Sequence, residues 1–323
     1  MTDLYPVPIE PTATDIALTD LETEARGYLS ASRASNTQRA YASDWRAFTA
    51  WCISHGVNEL PAEPTTVVLY LTDLARTAKA ATVRRRLSSI SVAHQAAGLA
   101  TPTADILVRS AWSGIRRTNG VAQIGKNALL TDDIRVMVGT LPDTLLGRRD
   151  ACLLLLGFSS AMRRSELVAL DVADVSDTND GLIVTIRRSK TDQEGEGREV
   201  GIPYGSSPAT CPVRAFRAWL DASGIDEGPL FRPINRHGQL AGARLSDQTV
   251  ATVVKRTAEA AGLDPKGVAG HSLRSGMATS AARAGATEAQ IMNQTGHKSL
   301  AVLRRYVRRG SMFTDNAAAK LGL

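Results

Sequence analysis

Apolar residues recur along most of this chain at helical spacing, in two groups separated by a polar break near residue 120. Residues 1–14, with Pro6, Pro8 and Pro11 and no periodicity, read as a flexible tail. From residue 15 to 119 the pattern predicts a series of helices. Ser35 is placed to cap one that runs to about His55 and stops at Gly56. Pro61 and Pro64 precede a second, about 65–78. A third covers about 81–97 and ends at Gly98, and a fourth covers about 104–117, before Asn119-Gly120. In the third, Val83, Leu87, Ile90, His94 and Ala97 share one stripe, so Arg84 and Arg85 point away from it and Arg86 flanks it.

Residues 120–127 read as a linker between a region 15–119 and a region 128–323. In the second region Thr131-Asp132-Asp133 is a capped helix start. An apolar helix follows at about 149–160 and a short one at 165–170. The β-branched run 181–186 after Asp180-Gly181 predicts a strand; Glu194 to Gly197 turns the chain, and 199–203 returns it. Beyond Cys211 the pattern is helical, broken at Gly224, Gly238, Gly262, Gly285 and Gly296. The expected class is mainly α with a small antiparallel β-sheet.

Composition narrows the partners. A chain of 323 residues has room for two domains and needs no disulfide or metal staple. No apolar run reaches the ~18 residues of a membrane span. The first 25 residues hold six acids and no base, unlike a secretory leader. Cys52, Cys152 and Cys211 lie far apart in apolar or helical settings, as expected of free thiols in a reducing cytoplasm. The net charge is +6, and 31 of the 38 basic residues are Arg, whose fork matches phosphate oxygens. An Ala- and Arg-rich composition also arises from genome base content, so charge alone does not decide for nucleic acid. Likewise Arg84, Arg85 and Arg86 could lie in a DNA groove, although charge runs are usually solvated faces.

No Gly-rich nucleotide cradle, paired carboxylates, metal-ligand cluster or Gly-x-Ser-x-Gly elbow stands out. An enzyme here is therefore expected to work with no cofactor and no metal. Five short signals remain, in order: Arg163-Arg164-Ser165-Glu166-Leu167; Lys190 beside the hairpin; His271-Ser272-Leu273-Arg274; Gly296-His297; and Tyr306 in a basic, amphipathic stretch. Each alone has an ordinary explanation, as a helix salt bridge, a solvent-exposed lysine, a chance pair or a core tyrosine.

Together, in this order and with His297 nine residues before Tyr306, they resemble the tyrosine recombinase (phage integrase) family over about residues 15–323. Within it the N-terminal helices look most like the Cre-type branch. The resemblance implies a helical core-binding domain and a catalytic domain that close on DNA as a C-shaped clamp. It implies a site-specific recombinase that forms a 3′-phosphotyrosine, with the topoisomerase IB type of chemistry. Tyr306 would be the nucleophile. Arg163 and Arg274 would clamp the phosphate, Lys190 would protonate the leaving oxygen, and His271 and His297 would contact the phosphate. Glu166 would orient Arg163, and Arg187 and Arg188 could touch the DNA backbone. The implied partners are a double-stranded DNA recombination site, a homotetramer on two such sites, and in some systems an accessory directionality factor. The segment 313–323 would dock on a neighbouring protomer.

Three points stay open in the residues themselves. Ala161 stands where the family usually has Gly. Arg164 competes with Arg163 for the first clamp, although the Glu-Leu spacing favours Arg163. A monomeric topoisomerase would use the same residues, and a DNA-binding protein without catalysis would keep the fold. Spacing makes one structural prediction. Nine residues at ~100° each place His297 and Tyr306 on opposite sides of one unbroken helix, so His297 should precede the helix that carries Tyr306. Gly270 should leave room for a phosphate at the start of the His271 helix.

Overall fold

A computed structural model describes residues 21, 23, 24, 28, 35–121, 125–189, 192, 196–297, 299–301, 303, 304, 306 and 321. The chain divides into two compact units, residues 1–124 and 125–323.

The first unit holds four described α-helices: α1 (Ser35–His55), α2 (Pro64–Leu74), α3 (Ala80–Ala96) and α4 (Ile106–Asn119). Helix α1 packs on α3, and α2 on α4. Phe48, Val67, Leu71, Val83, Ile90 and Val108 form the buried centre, with Tyr70 edge-on to Phe48. The α3 stripe is buried at Val83, Ile90 and His94. His94 is satisfied inside: Nε2 accepts from the Ala62 backbone N–H at 2.9 Å, and Nδ1 lies 2.8 Å from the Ile90 carbonyl. Helix α4 starts two residues later than its pattern suggests, because the Asp105 carboxylate caps it by accepting from Leu107 N–H at 2.7 Å.

The second unit is built on α6 (Leu145–Ser159), preceded by α5 (Thr131–Gly139) and followed by α7 (Arg164–Ala169). Cys152 to Leu156 are all buried, so the second half of α6 is apolar on every side and serves as the central post. It is covered by α8 (Pro212–Ser223) and by α10 (His271–Arg283); α9 (Asp247–Ala260) packs on α7. Helix α11 (Glu288–Thr295) follows α10, and residues 300, 301, 303, 304 and 306 are again helical. Gly276 of α10 lies where a methyl group would come 1.7 Å from the Leu129 carbonyl oxygen, so only glycine lets the two backbones meet.

The sheet has three antiparallel strands in order, β1 (Val175–Asp177), β2 (Gly181–Ile186) and β3 (Arg198–Pro203). Gly181 pairs with Pro203 and Ile186 with Arg198. The strand pattern predicted β2 and β3 but not β1, which is three residues long with no buried position. Leu182, Val184, Ile186, Val200 and Ile202 face the helices. Gly238, expected to interrupt a helix, lies instead in the non-helical stretch between α8 and α9. Among the described residues no helix is long and apolar enough to cross a membrane. Cys52, Cys152 and Cys211 are buried free thiols; burial, with Glu59 nearby, pushes the Cys52 pKa up to about 11.

Candidate active site

The strand β3, the start of α7, the start of α10 and the end of α11 converge on one cluster of cations. Arg163 stands just before α7. Its Nη1 donates to Glu166 Oε1, and the other Glu166 oxygen accepts the Arg163 backbone N–H at 2.9 Å. Glu166 is buried, so one carboxylate both caps α7 and holds the arginine. Arg164 turns elsewhere, to Asp247 at 3.0 Å. That separates the two arginines the sequence left in competition: Arg163 joins the cluster. The same Arg164 side chain fills the space beside Gly270, where a Cβ would lie 3.3 Å from its Cδ.

Arg274, one turn into α10, is 1% exposed. Its Nη1 donates to the Ala161 carbonyl at 2.7 Å, and its Nη2 is buried with no partner. Ala161 presents that carbonyl from a left-handed backbone conformation, φ +52°. The residue that departs from the family's usual glycine thus keeps the backbone shape that glycine favours. Loss of water around Arg274 and the nearby charge of Arg163 lower its pKa to about 10.

Helix α11 ends at Gly296, which is left-handed at φ +65°. His297 follows outside any helix, and Tyr306 lies on the helical residues beyond it, as the spacing required. His297 Nδ1 lies 2.7 Å from the hydroxyl of buried Thr295, which also reaches the Ile291 carbonyl at 2.7 Å. That contact fixes the ring. Withdrawal from water, then the charges of Arg274, Arg163, His271 and Arg198, push the His297 pKa down to about 4.

Tyr306 is anchored by its neighbours. Leu303 is buried against Ala278 and Ile291, with Tyr306 packed on the same cluster, and Arg304 pairs with Glu288 at 3.1 Å. The Tyr306 hydroxyl lies 3.0 Å from His271 Nε2, and its ring is 5.8 Å from that of His297. The His271 residue opens on solvent, yet loss of water around its ring, together with Arg274 and Arg163, lowers its pKa. At neutral pH the imidazole is therefore uncharged and able to accept the tyrosine proton.

Arg187 and Arg188 line a cavity with Glu166 at the edge of this cluster. Arg187 is engaged by Asp171 at 2.6 Å and Asp174 at 2.8 Å, which makes it a structural tie. Arg188 is exposed, beside a cavity lined also by Glu166 and Asp174. In the first unit Arg85 makes a two-pronged pair with Asp44, and Arg86 reaches Tyr70 and Asp44. The expected arginine face on α3 is thus partly paired, with Arg84 left exposed at a cavity lined by Trp112 and Arg116. Lys190 and 313–320, 322 and 323 lie outside the described residues. Arg198, which no motif singles out, does belong to the cluster. Its signal is strand parity: 198, 200 and 202 share one face, and an arginine on the buried face of a strand needs a reason.

Comparison with known proteins shows the family and the fold. The model of the Phage integrase family matches residues 127–311, and that of the phage integrase N-terminal SAM-like domain matches 27–99. The integrase/recombinase xerD homolog of Selenomonas ruminantium is 45% identical over 305 residues, covering 93% of this chain and 89% of that protein. The recombinase cre of Escherichia phage P1 is 26% identical over 294 residues, covering 84% of each. The xerD homolog thus shares more with this chain than cre does. A lambda integrase tetramer bound to a Holliday junction superposes with a TM-score of 0.59 at 16% identity, covering 88% of this chain and 75% of that one, which shows the fold.

Proposed function

This chain belongs to the phage integrase family of tyrosine recombinases, and on that premise we propose that it cuts and rejoins DNA at specific sites through a covalent 3′-phosphotyrosine. The observation that carries the proposal is the Tyr306 hydroxyl 3.0 Å from His271 Nε2, beside the buried and unpartnered Nη2 of Arg274.

The Tyr306 oxygen attacks the scissile phosphorus as His271 Nε2 takes its proton. Arg163 and Arg274 hold the non-bridging oxygens and stabilise the charge that builds on them. Arg274 enters this role with one prong already fixed on Ala161, so its free prong is oriented before DNA arrives. His297 donates to the same phosphate once the anion offsets the arginines that keep its ring uncharged. Lys190 gives a proton to the departing 5′ oxygen. One phosphate ester replaces another, so the bond energy is kept and no nucleotide is spent. A 5′-hydroxyl from the partner duplex then attacks the phosphotyrosine and releases Tyr306.

Residues 15–119 act as the core-binding domain, 120–127 as the linker and 128–323 as the catalytic domain, together clamping DNA. Four copies assemble on two sites, linked through the segment 313–323. A nicked duplex from DNA flanking the gene, incubated in EDTA without ATP, tests the chemistry. Wild type should leave a protein–DNA band that survives denaturant, and Tyr306→Phe should leave none. Tight, site-specific binding without any such band would overturn the proposal.

A further inference from the structure

We infer that Arg198 is a third guanidinium of the phosphate site, donating through Nη2 to the phosphodiester beside Arg163 and Arg274. The inference rests on the function proposed above and adds a residue to it.

Arg198 opens β3 on the face that carries Val200 and Ile202 inward. Two contacts fix its head group. Nη1 donates to the Gln294 carbonyl in the last turn of α11 at 3.1 Å. The guanidinium also lies flat on Gly296: a Cβ there would stand 2.8 Å from Nε and 3.0 Å from Cζ. The glycine before His297 therefore has two reasons, its left-handed backbone and the approach of this arginine. Gln294 in turn donates to the Ser159 and Gly201 carbonyls at 2.8 and 3.2 Å, so the turn, β3 and α6 form one frame.

That frame accounts for Nη1 and leaves Nη2 unexplained. Nη2 is buried and has no partner. Burying a donor unmatched is costly, and here the neighbours make it costlier. The charge of Arg198 is felt at Arg274 and at His297, and that of Arg163 is felt at Arg198, with Glu166 as the nearby carboxylate. A purely structural peg would be expected to face an acceptor. Like charges converge with open donors where an anion completes the site. The non-bridging oxygens of a phosphodiester offer enough lone pairs for three arginines, and Arg198 approaches from the His297 side.

The full chain is tested in two arms with Arg198→Met, which keeps length without charge, and Arg198→Lys, which keeps charge without the fork. Inorganic phosphate is titrated by ³¹P chemical shift at low salt and pH 7. Single-turnover cleavage is then timed on the nicked duplex with either an ordinary phosphodiester or a neutral methylphosphonate at the scissile position. A lost charge-assisted hydrogen bond predicts that Arg198→Met weakens phosphate binding about tenfold and slows phosphodiester cleavage ~10–100-fold. Arg198→Lys should fall between it and wild type, and it decides the matter if Arg198→Met does not fold. The methylphosphonate should narrow the cleavage deficit to about threefold, because the charge that Arg198 answers has been removed. Phosphate binding equal to wild type, or the same deficit on both duplexes, would overturn the inference and leave Arg198 as a support for the His297 turn. If wild type cuts no duplex while Arg198→Met still loses phosphate, the recombinase reading fails and the anion site stands.

Discussion

The arginines of α3 and the arginines around Tyr306 each meet a single carboxylate, and they use it differently. On α3, Arg85 spans both oxygens of Asp44, and Arg86 reaches the same carboxylate and Tyr70. Asp44 is 3% exposed, so those two cations answer a charge the fold already contains. Around Tyr306, Arg163, Arg198 and Arg274 converge with Glu166 as the nearby carboxylate, and two buried Nη2 atoms have no partner. A run of three arginines in sequence looks like a polyanion site and is mostly internal wiring. Three arginines scattered over residues 163–274 converge beside Tyr306 and form the anion site proposed here. Each cluster meets one carboxylate; the difference is that Arg85 and Arg86 both turn onto Asp44, whereas only Arg163 turns onto Glu166 and Arg198 and Arg274 each keep a buried Nη2 open.

The sharpest way to break this comparison is to remove one arginine from each side. Arg274→Met should slow covalent trapping by ~10²–10³-fold, the usual cost of a lost transition-state donor. Arg85→Met should show first in denaturant melting, as a loss of about 1–3 kcal/mol, because a buried carboxylate is left half-matched. If Arg85→Met instead left melting in place and reduced the salt dependence of DNA affinity, it would be a phosphate contact, and the contrast would fail.

Acid should expose the same excess of positive charge. The His297 pKa in the folded chain is about 4, against an ordinary value near 6.5. Above pH 6.5 the ring is uncharged in both folded and unfolded chains, and the stability is complete. As pH falls from 6.5 towards 4 the unfolded chain binds a proton that the folded site resists, so stability is lost, by about 2 kcal/mol once partial exposure is allowed for. Melts of wild type and His297→Gln at pH 7 and pH 4.5 measure this: the acid-induced loss should shrink in the variant. Inorganic phosphate should also shrink it in part in wild type, since loss of water around the ring is the first cause of the shift and an anion offsets the arginine charges that add to it. An unchanged loss in His297→Gln would place the acid sensitivity elsewhere. Cleavage should weaken over an overlapping range, as His271, also shifted downward, becomes charged and can no longer accept the Tyr306 proton.

Much of this is legible in the sequence. The pattern located α1 and α3 to within a residue at each end, and found β2 through its β-branched run and β3 as the segment that returns from the turn expected at 194–197. The helix phase argument placed His297 ahead of the Tyr306 helix. What escaped depended on contacts distant in sequence. Strand β1 has no buried alternation to betray it. Asp44 lies 41 residues from Arg85, so nothing local to α3 announced the pairing. Arg187 and Arg198 look alike in sequence; only the register of the hairpin sends Arg198 inward and leaves Arg187 to Asp171 and Asp174. Gly270 suggested free space that a neighbouring side chain, Arg164, fills.

Ala161 offers the finest adjustment to the comparison, because it sets the anchor of the buried arginine without touching any charge. Its left-handed backbone, φ +52°, aims the carbonyl that receives Arg274 Nη1 at 2.7 Å. For an L residue that conformation costs roughly 1–2 kcal/mol, and glycine adopts it freely while losing more entropy on folding, roughly 0.5–1 kcal/mol. Relief of the first term outweighs the second, so Ala161→Gly should raise stability by about 0.5–1 kcal/mol in denaturant melts. Covalent trapping should stay within about twofold of wild type if the carbonyl keeps its aim. A stabilised variant that traps poorly would show that the alanine, by narrowing the backbone's freedom at 161, holds the Arg274 fork in its working orientation. A destabilised variant would mean that the methyl group's packing in the buried turn after α6 outweighs the strain of its backbone.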